Sequence, residues 1–120
     1  MTENARRLTP ILRRLRFDDL RFGPGEAQLL AQIDATGSIT SAGLAMGMSY
    51  KRAWSLVEEM NAMFIDPLVV TSRGRAKGGG AALPDIGRRV LVQFQNLESL
   101  LANVGADDIA ALQAIMADQI

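Results

Sequence analysis

The sequence predicts a mainly α-helical domain with a small β component, and three observations lead to that prediction. Apolar residues recur at helical spacing in successive segments of the chain. Two of those segments are short and meet at a glycine, within residues 37–60. A β-branched run at residues 68–71 leads into a basic, glycine-rich loop, which is typical of a β-hairpin. A length of 120 residues corresponds to a single domain, spanning residues 1–120.

The central stretch predicts two helices joined by a tight turn. Thr40 is predicted to cap the first helix, because its hydroxyl can accept a hydrogen bond from a first-turn N–H. The small residues 41–43 allow a second helix to approach closely, and Gly47 can adopt the positive φ that ends a helix. Ser49 is predicted to cap the second helix, over residues 50–64. This layout is that of a helix-turn-helix.

The second helix of this pair has a polar side near its N-terminus, away from the predicted core. Serine, tyrosine, lysine and tryptophan side chains of this kind can contact base edges and phosphates. The alternative is a plain helical hairpin with a solvated polar face. The candidate DNA-contacting residues of the helix pair are Thr40, Ser49, Tyr50, Lys51, Arg52, Trp54 and Ser55.

Residues 9–22 are predicted to form an N-terminal β-hairpin that precedes the helices. A strand over residues 11–17 is followed by the turn signal of residues 18–19, and residues 20–22 can return as a second strand. The arginines of this hairpin have two interpretations, a phosphate-facing edge or a charged edge strand that resists aggregation. A helix then begins at Pro24 and ends at residues 36–37, completing a three-helix core.

Residues 68–83 are predicted to form a wing, which completes a winged helix-turn-helix over residues 24–83. A strand at residues 68–71 and a returning strand at residues 81–83 flank the loop. The loop does not match the nucleotide-binding motif, because the lysine precedes the glycines and no Ser or Thr follows. The loop is therefore interpreted as a phosphate or minor-groove contact, or alternatively as a solvated hairpin tip. Its candidate residues are Arg73, Arg75, Lys77, Gly78, Gly79 and Gly80.

Residues 84–120 are predicted to form a long helix to about Val104 and a short terminal helix from Asp107. Apolar residues along the long helix approximate the 3.5-residue repeat of a coiled coil, which favours a homodimer seam. The alternative is one amphipathic helix folded onto its own core. The short helix is predicted to join the dimer interface. The seam residues are Val90, Phe94, Leu97, Leu101 and Val104.

The composition excludes several classes of function. Thirteen basic and thirteen acidic residues give a net charge of zero, so the net charge indicates no partner. The basic residues lie in the first three quarters of the chain, however, so the charge is unevenly distributed. The absence of cysteine and histidine excludes disulfides, the usual zinc sites, and Ser-His-Asp or Cys-His catalysis. We therefore expect no metal, no cofactor and no enzymatic activity. No apolar run reaches the length of a membrane span, and no signal peptide is present, so a cytoplasmic location is expected.

The run at residues 29–61, the segment PLVVTSRGRAKGGGAAL and the following GRRVL resemble a known family. They are similar to the N-terminal DNA-binding domain of ModE-type molybdate-responsive transcriptional regulators, a winged helix-turn-helix related to the LysR type. The resemblance covers about residues 8–101, and its most specific part is MSYKRAW with the glycine-rich wing. It implies a homodimer that binds palindromic double-stranded DNA through residues 49–55 and the wing.

One departure limits what the resemblance implies. Full-length members carry C-terminal molybdate-binding domains, whereas this sequence stops after a short extra helix and shows no molybdate site. Molybdate sensing is therefore not carried over, and we expect a stand-alone, sequence-specific regulator that either works by occupancy alone or senses something else. The alternative is a winged-helix protein–protein interaction module with no specific DNA site. The sequence leaves open the operator, the regulated genes, activation or repression, any effector, and whether the N-terminal arginines contact DNA.

Overall fold

The structure, a computed structural model, describes residues 15–17, 20–72 and 80–117. The predictions for residues 9–14 and for the wing loop at residues 73–79 lie outside these residues. The predicted fold class is confirmed: the chain is mainly helical, with a small antiparallel component. In chain order the elements are β1 (Leu15–Phe17), β2 (Leu20–Phe22), α1 (Pro24–Thr36), α2 (Ile39–Ala45), α3 (Tyr50–Met63), β3 (Val70–Ser72), β4 (Gly80–Ala82), α4 (Asp85–Val104) and α5 (Ala106–Ala114).

Helix α1 lies at the centre of the molecule and packs against α2, α3, α4, β2 and β4. It begins with Pro24, and the Glu26 carboxylate accepts a hydrogen bond of 2.9 Å from the Gly23 N–H. It ends where Gly37 adopts a left-handed φ of 74° and donates its N–H to Ile33 O at 2.8 Å. The fully buried side chains of α1 are Leu29, Leu30 and Ile33.

The N-terminal hairpin is joined to the helical body through Phe22. Strands β1 and β2 are antiparallel, with Arg16 opposite Arg21. The buried Phe22 ring meets Phe94 of α4 edge-on at 5.4 Å between centroids, and it meets Phe64 at 6.1 Å. Edge-to-face aromatic pairs add to the free energy gained by burial, so this cluster fixes the hairpin against the core.

The predicted cap of the first helix of the pair is wrong by two residues. Ser38, not Thr40, caps α2, because the Ser38 hydroxyl accepts a 3.0 Å hydrogen bond from the Ser41 N–H. Ser38 has the extended backbone that an N-cap requires and directly follows the left-handed Gly37 that ends α1. Thr40 lies inside the first turn of α2 and is exposed.

The first half of α4 is part of the protein's own core. A Cβ on Gly87 would clash with the carbonyl oxygen of Leu68, so α4 lies directly against that backbone. Phe94 is 1% exposed and Val90 packs against the same core. The assignment of Phe94 to a dimer seam is therefore wrong, because its side chain is already surrounded within one chain, and Val90 is half-buried there.

The second half of α4 and the whole of α5 extend away from this core. The Cα radius of gyration is 17.8 Å, compared with about 14 Å for a compact domain of this length. Helix α5 packs against α4 and contributes no buried side chain. Within the described ranges, no helix is long and apolar enough to cross a membrane.

Candidate nucleic-acid interface

The turn between α2 and α3 is fixed by backbone hydrogen bonds that need a glycine. Gly47 has a φ of 74° and donates to Leu44 O at 3.0 Å, while Met48 donates to Gly43 O at 2.8 Å. This pair of bonds is a Schellman motif, which ends a helix and satisfies its last carbonyls. The predicted role of Gly47 is confirmed.

The close approach of α2 and α3 depends on small residues. A Cβ on Gly43 would lie 2.7 Å from the Cβ of Ala53, a distance that side chains do not tolerate. Ala42 and Ala53 are fully buried at this contact between the helices. The two helices can therefore cross with their backbones nearly in contact, which sets the direction in which the N-terminus of α3 points.

Helix α3 is capped by Ser49, as predicted, because the Ser49 hydroxyl accepts a 3.0 Å hydrogen bond from the Arg52 N–H. Its core side consists of Ala53, Leu56, Val57 and Met60. Since these four side chains point inward, the first turns present their other residues outward. Ser49, Tyr50, Lys51 and Arg52 are exposed, and Ser55 is half-buried.

Trp54 has a different environment from its neighbours on α3. Its indole is half-buried and packs against the hydrophobic core. Its ring centroid lies 6.1 Å from that of Tyr50, which is itself 63% exposed. The indole Nε1 is buried and finds no hydrogen-bond acceptor among the described residues. Trp54 therefore supports Tyr50 from the core side, and Tyr50 is the aromatic residue that faces outward.

The charge along α3 changes from basic to acidic. Lys51, Ser55 and Glu58 follow the spacing that places residues on one face of a helix, and Glu59 is also exposed. Basic side chains and the positive end of the helix dipole thus lie in the first turn, whereas carboxylates occupy the third. A polyanion would be attracted to the first two turns of α3 and repelled by the rest.

The base of the wing is joined to the turn between α1 and α2. Strands β3 and β4 are antiparallel, with Val70 opposite Ala82 and Ser72 opposite Gly80. The Ala81 N–H donates a 2.9 Å hydrogen bond to the carbonyl of Gly37, between α1 and α2. The predicted hairpin is confirmed at its base, while Arg73, Arg75, Lys77, Gly78 and Gly79 lie in the loop outside the described residues.

Comparison with known proteins gives relatives over most of this chain, although no protein-family model matches it. It is 36% identical over 100 residues to the "Molybdenum transport protein ModE" of Azotobacter vinelandii, covering 74% of this chain and 37% of that protein. It is 37% identical over 84 residues to the "Molybdenum-pterin-binding protein MopB" of Rhodobacter capsulatus, covering 70% and 31%. It is 32% identical over 98 residues to the "DNA-binding transcriptional dual regulator ModE" of Escherichia coli, covering 78% and 37%. The chain is a homologue of ModE-type regulators.

The homology to ModE covers only part of the relatives. The chain spans about a third of their length, 37% of the Azotobacter protein and 31% of MopB. The family resemblance drawn from residues 29–61, the wing and GRRVL is confirmed by these matches. The names of these relatives mention transport, pterin binding and regulation. These are properties of the named proteins, and for this ModE-like chain such a function is a proposal.

The sequence patterns did not identify three residues that hold this ModE-like site in place. Ser38 is the cap of α2, and Phe22 joins the N-terminal hairpin to the core. Asn61 binds the backbone at the base of the wing, accepting from Leu68 N at 2.9 Å. A signal for Asn61 was present, because asparagine is unfavourable inside a helix unless its amide has a partner elsewhere.

An apolar face remains on the C-terminal helices of the ModE-like chain. Of the predicted seam, Leu97 and Leu101 are 42% and 43% exposed and Val104 is 81% exposed. On α4 these residues are rotated by about a quarter of a turn from the buried Gly87, Leu91 and Phe94, at 3.6 residues per turn. Leu100 on α4, Leu112 on α5 and Ile115 at the C-terminal end of α5 are also exposed.

Among the residues that the structure describes, no three cysteine, histidine or acidic side chains are grouped so as to hold a metal ion. The candidate site consists of the first turns of α3, the exposed start of α2 and the base of the wing. Its chemistry is that of hydrogen-bond donors, two cations and an exposed phenol, which suits recognition of an anionic polymer.

Proposed function

We propose that this chain is a sequence-specific DNA-binding transcriptional regulator that binds palindromic duplex DNA as a homodimer. The observation that carries the proposal is the outward N-terminus of α3, where exposed Ser49, Tyr50, Lys51 and Arg52 extend from a rigid three-helix scaffold. Recognition helices of helix-turn-helix proteins contact base edges with these N-terminal residues. Homology to proteins named as DNA-binding and transcriptional regulators supports the same function. Such a regulator acts in the cytoplasm, where bacterial DNA lies.

Each exposed group of α3 has a role that follows from its chemistry. Lys51 and Arg52 contact phosphate or the O6 and N7 acceptors of guanine. Ser49, whose hydroxyl oxygen already accepts from Arg52 N, can still donate its hydroxyl hydrogen to a phosphate oxygen. Tyr50 contacts the backbone or a base edge. Because Glu58 and Glu59 repel phosphate, the helix enters the groove by its first two turns only.

The wing and the start of α2 supply the remaining contacts of the proposal. Arg73, Arg75 and Lys77 contribute charge along the flanking backbone, and Gly78 and Gly79 let the loop approach the sugar-phosphate ridge. Thr40, exposed in the first turn of α2, contacts phosphate from the helix that crosses the backbone.

The homodimer of the proposal forms through the exposed apolar face of α4 and α5. Leu97, Leu101 and Val104 supply the centre of that face, and Leu112 and Ile115 extend it. Exposed apolar side chains in a continuous group mark an interaction surface. Two-fold pairing would place two α3 helices in successive major grooves, about 34–36 Å apart.

The proposal is tested by selection and footprinting. The purified protein is incubated with fragmented genomic DNA, bound duplexes are recovered, and the tightest is probed with hydroxyl radicals. We expect two protected half-sites related by a dyad, with centres one helical turn apart. A single protected half-site would contradict the dimer. Recovery of no enriched sequence would contradict specific DNA binding.

A second function is favoured by one observation, the exposure of Tyr50 beside Trp54. An exposed aromatic residue supported by another is typical of the hot spots in protein–protein interfaces. In that case the same core would present α3 to a protein partner and would enrich no duplex. Salt-sensitive, sequence-selective duplex binding excludes this alternative as the main function.

A further inference from the structure

Asn61 lies inside α3, two turns beyond the proposed DNA contacts, and its side chain is part-buried. Its Nδ2 donates a 3.0 Å hydrogen bond to Val69 O. Its Oδ1 accepts two hydrogen bonds, from Leu68 N at 2.9 Å and from Val69 N at 3.0 Å. One side chain thus satisfies three backbone groups of the segment that leads into the wing.

These bonds require an amide at position 61. Leu68 and Val69 are buried, so their backbone groups need partners within the protein. An amide offers a carbonyl oxygen with two lone pairs and an NH₂ donor on one planar group. A carboxylate could accept from both N–H groups but could not donate to Val69 O, and an aliphatic side chain could do neither.

The position of this network matters because β3 begins at the next residue, Val70. The wing is therefore tied to the scaffold at both strands. Asn61 holds the approach to β3 against α3, and the Ala81 N–H holds β4 against the Gly37 carbonyl. Without Asn61, the hydrogen bond at Gly37 would remain, but the three hydrogen bonds that join α3 to residues 68 and 69 would be lost.

We propose that Asn61 is a positioning residue that sets how the wing lies relative to α3 on duplex DNA. Asn61 does not contact DNA, and it acts through Leu68 and Val69 on the loop that carries Arg73, Arg75 and Lys77. This inference rests on the proposed function. The positioning role predicts that loss of the Asn61 amide lowers duplex affinity only by reducing the contribution of the wing to that affinity.

The first part of the test is amide hydrogen exchange on the full chain. In Asn61→Ala, exchange at Leu68 and Val69 should accelerate by about tenfold or more, as removal of a hydrogen bond implies, while α1 remains protected. Asn61→Asp keeps the two accepted bonds, so a smaller acceleration is expected, and it serves as the test if Asn61→Ala does not fold. Asn96→Ala, the same change at an exposed position of α4, is the control. Unchanged exchange at both positions in Asn61→Ala would overturn the proposal.

The second part is a double-mutant cycle on the duplex selected by the wild-type protein. Asn61→Ala or Asn61→Asp is combined with Arg73→Ala/Arg75→Ala/Lys77→Ala. We expect Asn61→Ala to lower duplex affinity roughly tenfold alone and by much less when the wing bases are absent, because coupled residues are non-additive. Equal decreases in both backgrounds would mean a general structural role and would overturn the positioning role.

The two proposals fail separately. If the wild-type protein enriches no duplex, the proposed function fails, and the exchange measurement alone decides whether Asn61 holds the wing. If the duplex is bound but the cycle is additive, the proposed function stands and the positioning role does not.

Discussion

At the residue scale, the stability of the fold depends on glycines that pack so closely against neighbouring atoms that a larger residue would clash. Gly87 of α4 is such a glycine, because a Cβ there would clash with the Leu68 carbonyl oxygen and would lie 3.3 Å from the Leu83 Cβ. The first of these neighbours is backbone and cannot rotate away. The contact ties α4 to the segment just before β3.

We therefore predict that Gly87→Ala lowers the free energy of unfolding by about 3 kcal/mol, the upper range for overpacking. Urea denaturation of both proteins measures the difference. The control is Gly25→Ala in α1, where an added Cβ would meet no atom within 4 Å among the described residues. That change should be neutral or slightly stabilising, since alanine favours a helix more than glycine does. Equal stability of Gly87→Ala and wild type would contradict the packing of α4.

Lys51 is the residue at which the proposed DNA contact is most directly tested. It is exposed in the first turn of α3, so Lys51→Ala removes a charge without disturbing the core. We expect binding to the selected duplex to weaken by about 1 kcal/mol or more, at least about fivefold. Fluorescence anisotropy with labelled duplex measures it. Arg89→Ala, which removes an exposed cation on α4, should leave affinity nearly unchanged. An equal loss of duplex affinity in both variants would contradict a specific role of α3 in DNA binding.

At the element scale, the proposed function assigns different contributions to α3 and to the wing. In that proposal, helix α3 supplies both charge and base recognition, while the wing loop supplies charge through Arg73, Arg75 and Lys77. Neutralising all three should flatten the slope of log K against log salt by roughly 0.9, per protomer, for each phosphate that the wing no longer neutralises. Titration of binding between low and physiological salt measures the slope. An unaltered slope would mean that the wing does not bind the duplex.

The elements themselves are largely predictable from the sequence because their signals are local. Periodicity locates all of the described helices, Gly47 marks the turn, and Ser49 marks the start of α3. The cap of α2 is harder to predict because Ser38 and Thr40 are both good capping residues. Only the end of α1 at Gly37 decides between them.

Contacts between different elements are not predictable in the same way. The spacing of apolar residues on α4 is continuous, so it does not show that Phe94 faces the core while Leu97 faces outward. Which α4 residues are buried and which are exposed depends on where the packed core ends along the helix. The bonds of Asn61 likewise join a helix to the segment that follows it, and a polar residue in a helix could equally have been solvated.

At the scale of the whole molecule, the chain has a body and an extension. The body contains the packed core, and the extension consists of the second half of α4 and α5. A stretch of Leu97, Leu101 and Val104 exposed on an extension is costly in water, because apolar surface remains hydrated. Pairing of two copies would remove that surface and align two α3 helices.

We predict that Leu97→Glu/Leu101→Glu converts the protein from dimer to monomer. Sedimentation equilibrium should give about 26 kDa for wild type, twice the 13.0 kDa chain mass, and the single-chain mass for the variant. Duplex affinity should fall by about 10² or more, because two linked half-sites no longer bind together. Val92→Glu, at an exposed position on another side of α4, is the matched control and should remain dimeric. A wild-type protein that is monomeric throughout would contradict the pairing.

Sequence selectivity tests the central claim most directly. The measurement is the ratio of wild-type affinities for the selected duplex and for a scrambled duplex of the same length and composition, at physiological salt. The outward N-terminus of α3 predicts a ratio of about 10³ or more, as specific regulators show. A ratio near one, with both duplexes bound equally or not at all, would contradict recognition of DNA sequence by this helix.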